Sequence, residues 1–330
     1  MTEDRNHEYA NHIRVYLGQK KGNIKNDWRE RPIIMDWLEA VSLKDSLSIM
    51  DAKVKCFMGK AEGKLKGWFL SGDRNFYSIT AERYVMDYLK SKNQNLSDNF
   101  SKQGGPDGIL HCSAGDIGIE VTTVNGFIAD AIFTERLCMY LKEKGYDLSG
   151  TCEISYDYDR VNEEIKKRDC SAFYDYIEKV GCNIIRGDSD ELKLLNINWT
   201  VTNRKSGCIV WGKKAADDFS VIEHLTCRLI SALKNKSSQL SKLRRNLVFV
   251  GANHCGPTNW LNPIIFREMA GGGISCQCQI DYIQEYLSKN LPQCVAGLCY
   301  YIYSLDQDGP FYKPLRVFWR NPNKPVNINL

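Results

Sequence analysis

GGPDGILHCSAGDIGIEVTTV, residues 104–124, decides how the rest of the chain is read. Gly104, Gly105 and Pro106 make a turn. Gly108 to Cys112 reads as a strand, Ser113 to Asp116 as a turn, and Ile117 to Val124 as a second strand. Side chains alternate faces along a strand, so Asp107, Ile109 and His111 point one way, and Glu120, Thr122 and Val124 share a face of the second strand. With the loop at Ser113–Asp116, Cys112 pairs with Ile117. Asp107 then lies opposite Thr122 and diagonal to Glu120, within reach across the ladder. Two carboxylates converging from neighbouring strands are hard oxygen ligands for Mg²⁺ or Mn²⁺, and the Val121 carbonyl is placed to add another. A cation held there polarises a phosphate and lowers the pKa of water.

Working outward, Thr80 is a candidate N-cap for a helix over residues 81–90. Glu82, Met86 and Leu89 share one face of it, which brings a third acid toward the strands. At the second helical position Glu82 also suits the helix dipole. Beyond the second strand, Asn125 caps an apolar helix from about Phe127 to Lys144, and Gly145 ends it. Thr151 to Tyr156 reads as a strand. The order is helix, three strands (the first a short extended piece around Leu96 to Lys102), helix, strand.

This order, with Pro106-Asp107, Glu120 and Glu82, resembles the PD-(D/E)XK nuclease superfamily and its restriction-endonuclease-like fold over about residues 76–158. The resemblance implies a metal-dependent phosphodiesterase that uses metal-activated water on DNA or, less often, RNA. It also implies a lysine two residues after the glutamate, where this chain has Thr122. A neutral hydroxyl does not replace an amine. Related viral cap-snatching endonucleases are similar here and take their lysine from the following helix. In this chain the candidates are Arg136 on that helix, with Lys142 and Lys144 further along, and Lys102 before the Pro-Asp turn. An arginine there binds phosphate but does not deprotonate water. His111 shares the Asp107 face, and an ordinary hydrogen bond is its simpler role.

The chain has 330 residues and a formal net charge of only +4, so it is no global polycation. The charge is uneven. Acids outnumber bases about two to one from Asp107 to Glu191, while ten bases face Asp217, Asp218 and Glu223 between Arg204 and Arg245. Among those bases Lys234, Lys236, Lys242, Arg244 and Arg245 end a helix that leads into the apolar strand NLVFV, and they are the candidate contacts to backbone phosphates. The 13 cysteines are odd in number and irregularly spaced, which fits reduced thiols in the cytoplasm better than a disulfide scaffold. No apolar run approaches the roughly 18 residues of a membrane helix, and residues 1–19 resemble no signal peptide.

The remaining stretches carry weaker signals. Residues 1–75 read as a mainly helical region, with Lys53 to Gly67 as an exposed loop or hairpin. Residues 76–165 form the nuclease-like core. Residues 166–330 read as an α/β extension, compatible with one sheet continuous with the core, in which Leu192 to Thr202 and Cys208 to Trp211 form a hairpin and Val295 to Leu305 and Leu315 to Trp319 are strands. His254, Cys255, Cys276 and Cys278 fit the spacing of a structural zinc site poorly. AGGGIS at 270–275 lacks the Lys-Ser/Thr of a phosphate loop. The expected protein is an α/β metal-dependent nuclease with a nucleic-acid partner, DNA ahead of RNA, and no membrane; a homodimer is compatible. The alternative is a nuclease-like protein that binds nucleic acid or a protein without cutting.

Overall fold

The computed structural model describes residues 8–39, 44–93, 95–99, 104–123, 125–146, 151–156, 171–195, 198–202, 209–212, 227, 229–253, 284–304, 311–312, 316–321, 323–324 and 326. The chain is mixed α/β, built on an open mixed sheet.

The N-terminal region is helical: α1 (Asn11–Gln19), α2 (Ile33–Trp37), α3 (Lys44–Phe57) and α4 (Glu62–Leu70). The loop or hairpin expected over Lys53 to Gly67 is instead the end of α3 and most of α4. Val54, Leu65 and Trp68 are buried there. Their helical spacing outweighs the lysines and glycines between them, which lie on the solvent side.

α5 (Asp73–Lys92) begins seven residues before the expected N-cap. Thr80 is therefore mid-helix and fully buried. Its Oγ1 accepts a hydrogen bond from Trp68 Nε1 at 2.8 Å instead of capping. This shift matters for Glu82, which now sits midway along a long helix, where the N-terminal dipole does not reach.

The main sheet contains β1 (Leu96–Asp98), β2 (Gly108–Leu110), β3 (Ile117–Thr123), β7 (Asn246–Asn253), β8 (Val295–Ser304), β9 (Phe311–Tyr312) and β10 (Arg316–Arg320). Its order is β1-β2-β3-β7-β8-β10, with β9 on the side of β8. β1, β2 and β3 are antiparallel neighbours, whereas β3-β7 and β7-β8 are parallel. Between β3 and β7 runs α6 (Asn125–Glu143), which packs on β7. Gly145, at φ 73°, follows the helix end as expected.

The strand expected to complete the core, β4 (Thr151–Tyr156), does not join this sheet. It is the middle strand of a second one, between β5 (Asn198–Thr202) and β6 (Ile209–Gly212). β5 and β6 therefore each pair with β4 and not with one another, and the expected hairpin is absent among the described residues. The first part of its expected first strand is the short helix Ser189–Leu194, capped by the Asp188 side chain. The strand that lies parallel to β3 is β7, the buried run NLVFV. A strand covered on both faces reads as continuous apolar sequence, and Leu247, Val248, Phe249 and Val250 are all at most 2% exposed.

Two close approaches fix the stack. Met86 of α5 packs directly on Gly108 of β2, and the Asn246 side chain lies against Gly118 of β3. A side chain at either glycine would occupy the neighbour's place.

Candidate active site

The β2–β3 register differs from the expected one by two residues: Gly108 pairs with Ile119, Ile109 with Gly118 and Leu110 with Ile117. An even shift keeps every side chain on its face. One step beyond the last pair, Asp107 comes opposite Glu120 rather than diagonal to it. The longer turn has a cause in its own side chains. His111 Nδ1 is 3.0 Å from Asp116 Oδ1, and its Nε2 is 3.2 Å from Ser97 Oγ. Arg245 donates to the carbonyls of Ala114 and Gly115 at 2.6 and 2.7 Å. His111 thus makes ordinary surface hydrogen bonds.

Asp107 Oδ2 accepts the Val121 backbone N–H at 2.8 Å, which ties the Pro-Asp turn to β3. Glu120 is only 2% exposed, and Thr122, on the same face, is 7% exposed. Glu82 enters from α5, which packs on β3. Its partner is the neighbouring Arg83, whose guanidinium also donates to Asp98 at 2.6 Å.

An amine does reach the carboxylates. Lys236 Nζ donates to Glu120 Oε1 from a residue 116 positions further along the chain. Lys236 stands where the helical stretch 229–235 meets the short helix Ser237–Leu240; its N–H bonds the Ala232 carbonyl and its carbonyl accepts from Gln239. Leu229, Ile230, Leu233 and Leu240 bury the inner side of this segment. Asn246, at the start of β7, fastens its end by donating to the carbonyls of Leu240, Leu243 and Cys294. The residue expected as a phosphate contact is therefore the cation of the carboxylate cluster.

The other candidates are placed differently. Arg136 lies among the N-terminal helices and is 3% exposed. It pairs with Asp73 through two hydrogen bonds of 2.7 and 2.5 Å and donates to the carbonyls of Trp28 and Arg31. A guanidinium with four such bonds serves the packing of α5 and α6 on the N-terminal region. Lys142 pairs with Glu39 on the outside, and Lys144 lies over the Tyr140 ring. Lys102 and the residues 254–283 that hold His254, Cys255, Cys276, Cys278 and AGGGIS lie outside the described residues. Of the basic set, Lys234, Lys242 and Arg244 are exposed. The Lys242 ammonium lies over the Gly104 backbone, 3.2 Å from where a Cβ would stand. That places one exposed amine beside the turn leading to Asp107.

The electrostatics bind these groups into one cluster. Burial, then the Asp107 charge, raise Glu82 from 4.5 to about 7. Burial, then Glu120, raise Asp107 from 3.8 to about 6, against the pull of the Val121 N–H and Lys236. Burial also raises Glu120, although Lys236 opposes it. Lys236 itself is raised, because Glu120, Asp107 and Glu82 together outweigh its burial. It stays an ammonium at neutral pH and is no proton acceptor.

Glu120 Oε2 is buried and has no hydrogen-bond partner among the described residues. A buried carboxylate oxygen without a partner is costly, and a cation, a hydrogen-bond donor or a proton would satisfy it. Among the described residues no three Asp, Glu, His or Cys side chains are already drawn together as a ligand set; the positive charge beside the acids comes from the Lys236 ammonium on Glu120 and from Arg83 on Glu82.

Compared with family models, curated proteins and solved structures, the chain matches none. The reading of the site therefore rests on its own chemistry.

That chemistry predicts a pH dependence of stability. Glu82 and Asp107 hold protons more tightly folded than unfolded, as does Glu135, which burial raises to about 7 beside the Trp37 N–H. For acids raised on folding, the stabilising contribution is complete below about pH 4 and is lost as pH rises through 6 to 7. The metal-free protein is expected to lose on the order of 3 kcal/mol between pH 5 and pH 8, taking about two pKa units as surviving solvent screening. Urea unfolding at both pH values checks this.

Proposed function

We propose that this protein is a metal-dependent nuclease with a PD-(D/E)XK type of site, in which Lys236 takes the place of the lysine missing at Thr122. The observation that carries the reading is the contact of Lys236 with Glu120, beside Asp107 and Glu82. An acid on α5, an Asp before β2, a Glu on β3, the helix α6 and a parallel strand follow the order expected of a restriction-endonuclease-like core. In this chain the parallel strand is β7 and the amine precedes it, so the motif is completed from the second half of the sequence.

Asp107 and Glu120 are the residues that would hold Mg²⁺ or Mn²⁺, with Glu82 and the Val121 carbonyl beside them. The cation would polarise the phosphodiester and ease deprotonation of water. Lys236, a fixed positive charge, would hold a phosphate oxygen and stabilise the charge that develops on it. Lys242, Arg244 and Lys234 would meet the flanking backbone, and DNA is expected ahead of RNA. A protein that binds nucleic acid without cutting is the second reading. It is favoured by the fact that the Lys236 ammonium already neutralises Glu120.

The deciding experiment incubates the full chain with supercoiled DNA and with single-stranded RNA, in Mn²⁺ and in chelator. Cutting that needs Mn²⁺ and disappears in Asp107→Ala is the expected result. Tight binding with no cutting in any divalent metal would select the second reading.

A further inference from the structure

We propose that the Lys236 ammonium is the site's own stand-in cation, and that a divalent metal enters by driving it off Glu120. The proposal rests on the metal-binding part of the function above and adds how that binding is regulated.

Glu82 has Arg83 beside it, whereas Glu120 and Asp107 need further positive charge nearby. Arg83 is committed to Glu82 and Asp98, Arg136 to Asp73 and two carbonyls, and Thr122 is neutral. The one cation bonded to Glu120 among the described residues is Lys236, on Oε1. Its position favours retreat. The Lys236 side chain is 34% exposed, whereas Glu120 is 2% exposed. The acid is fixed in β3 and the amine reaches it from the open side on a flexible stem.

A divalent cation bound through the unpartnered Oε2 would share one carboxylate with this ammonium. In a poorly hydrated site two neighbouring positive charges repel strongly. The cation must therefore either displace Lys236 or bind against its charge, and both lower the metal's affinity. Displacement also moves the amine toward solvent, where an incoming phosphate would find it. Lys236 thus keeps the acids neutralised in the metal-free protein and is released by the ion that replaces it.

The test needs no nucleic acid and no cutting. Mn²⁺ is titrated calorimetrically into the full chain at about pH 8.5, where Glu82 and Asp107 are ionised. Lys236→Met, which keeps an unbranched stem one atom shorter and loses the charge, is expected to bind Mn²⁺ at least about tenfold tighter than wild type. Lys236→Arg should bind no tighter than wild type. In the wild-type protein, which does not depend on a variant folding, acetic anhydride labelling of Lys236 read by mass spectrometry should rise several-fold at saturating Mn²⁺. Equal or weaker Mn²⁺ binding by a folded Lys236→Met overturns the proposal, as does unchanged labelling of Lys236, while leaving the nuclease reading intact. Failure of every form to bind Mn²⁺ overturns the metal-dependent reading itself.

Discussion

Lys236→Met is expected to lower the rate of DNA cutting by about 10²–10³-fold at saturating Mn²⁺, the cost of removing one cationic donor that the released amine would offer to a developing oxyanion. The variant should fold, because burial already raises the Glu120 pKa, and the acid left behind can take up a proton in place of its partner. Lys236→Arg should recover part of the rate, since the charge remains while its planar fork points differently. Initial rates on supercoiled DNA, with circular dichroism as the folding control, measure both. Because Lys236→Met should bind Mn²⁺ more tightly and cut more slowly, the two readouts move in opposite senses, which a variant that is merely misfolded cannot imitate. A folded Lys236→Met that cuts at the wild-type rate would place the reactive amine elsewhere.

Arg136→Met is expected to act on stability, destabilising the protein by about 3–5 kcal/mol, as the loss of one partner of a buried ion pair does. Asp73 would be left with an uncompensated charge, and the carbonyls of Trp28 and Arg31 would lose their donor. Adding Asp73→Asn should recover part of the loss by removing that charge. Urea unfolding of the two variants tests this, and the folded fraction of Arg136→Met should still cut DNA. A stability change below about 1 kcal/mol would mean that the pair contributes no more than a surface one.

The contrast between these cations shows what the sequence disclosed. The Pro-Asp turn, β3 and α6 were legible because period-two alternation and Gly145 are local signals, although α6 begins at Asn125 itself, the residue expected to cap it. The strand NLVFV was legible as an element but not as a neighbour: a run that is apolar on both faces carries no mark of its partner or direction. The strand nearest in sequence, Thr151–Tyr156, was therefore given its place. Lys236 was missed for the same reason. It was visible as one base in a basic helix end, and only the pairing of β7 with β3 brings it to Glu120. Arg83, which holds Glu82 and Asp98, had a local signal, a base beside an acid on the buried stripe of a helix. α5 was begun too late because Thr80 has the chemistry of a cap, while its hydroxyl in fact serves the Trp68 indole.

The interposed β4–β6 sheet has a consequence for synthesis. The acids are complete in the chain by residue 120, yet their counter-ion and the neighbouring strand of β3 come more than a hundred residues later. A nascent chain that has emerged only as far as α6 carries a three-stranded sheet whose β3 edge is unpaired, and three acids that lack their lysine. Such an edge invites pairing with other chains, and domains tend to mature as whole units during translation. Maturation of the acid-bearing sheet must therefore wait for β7, and a ribosome stalled within the interposed segment would hold out a partly built sheet for chaperones to shield.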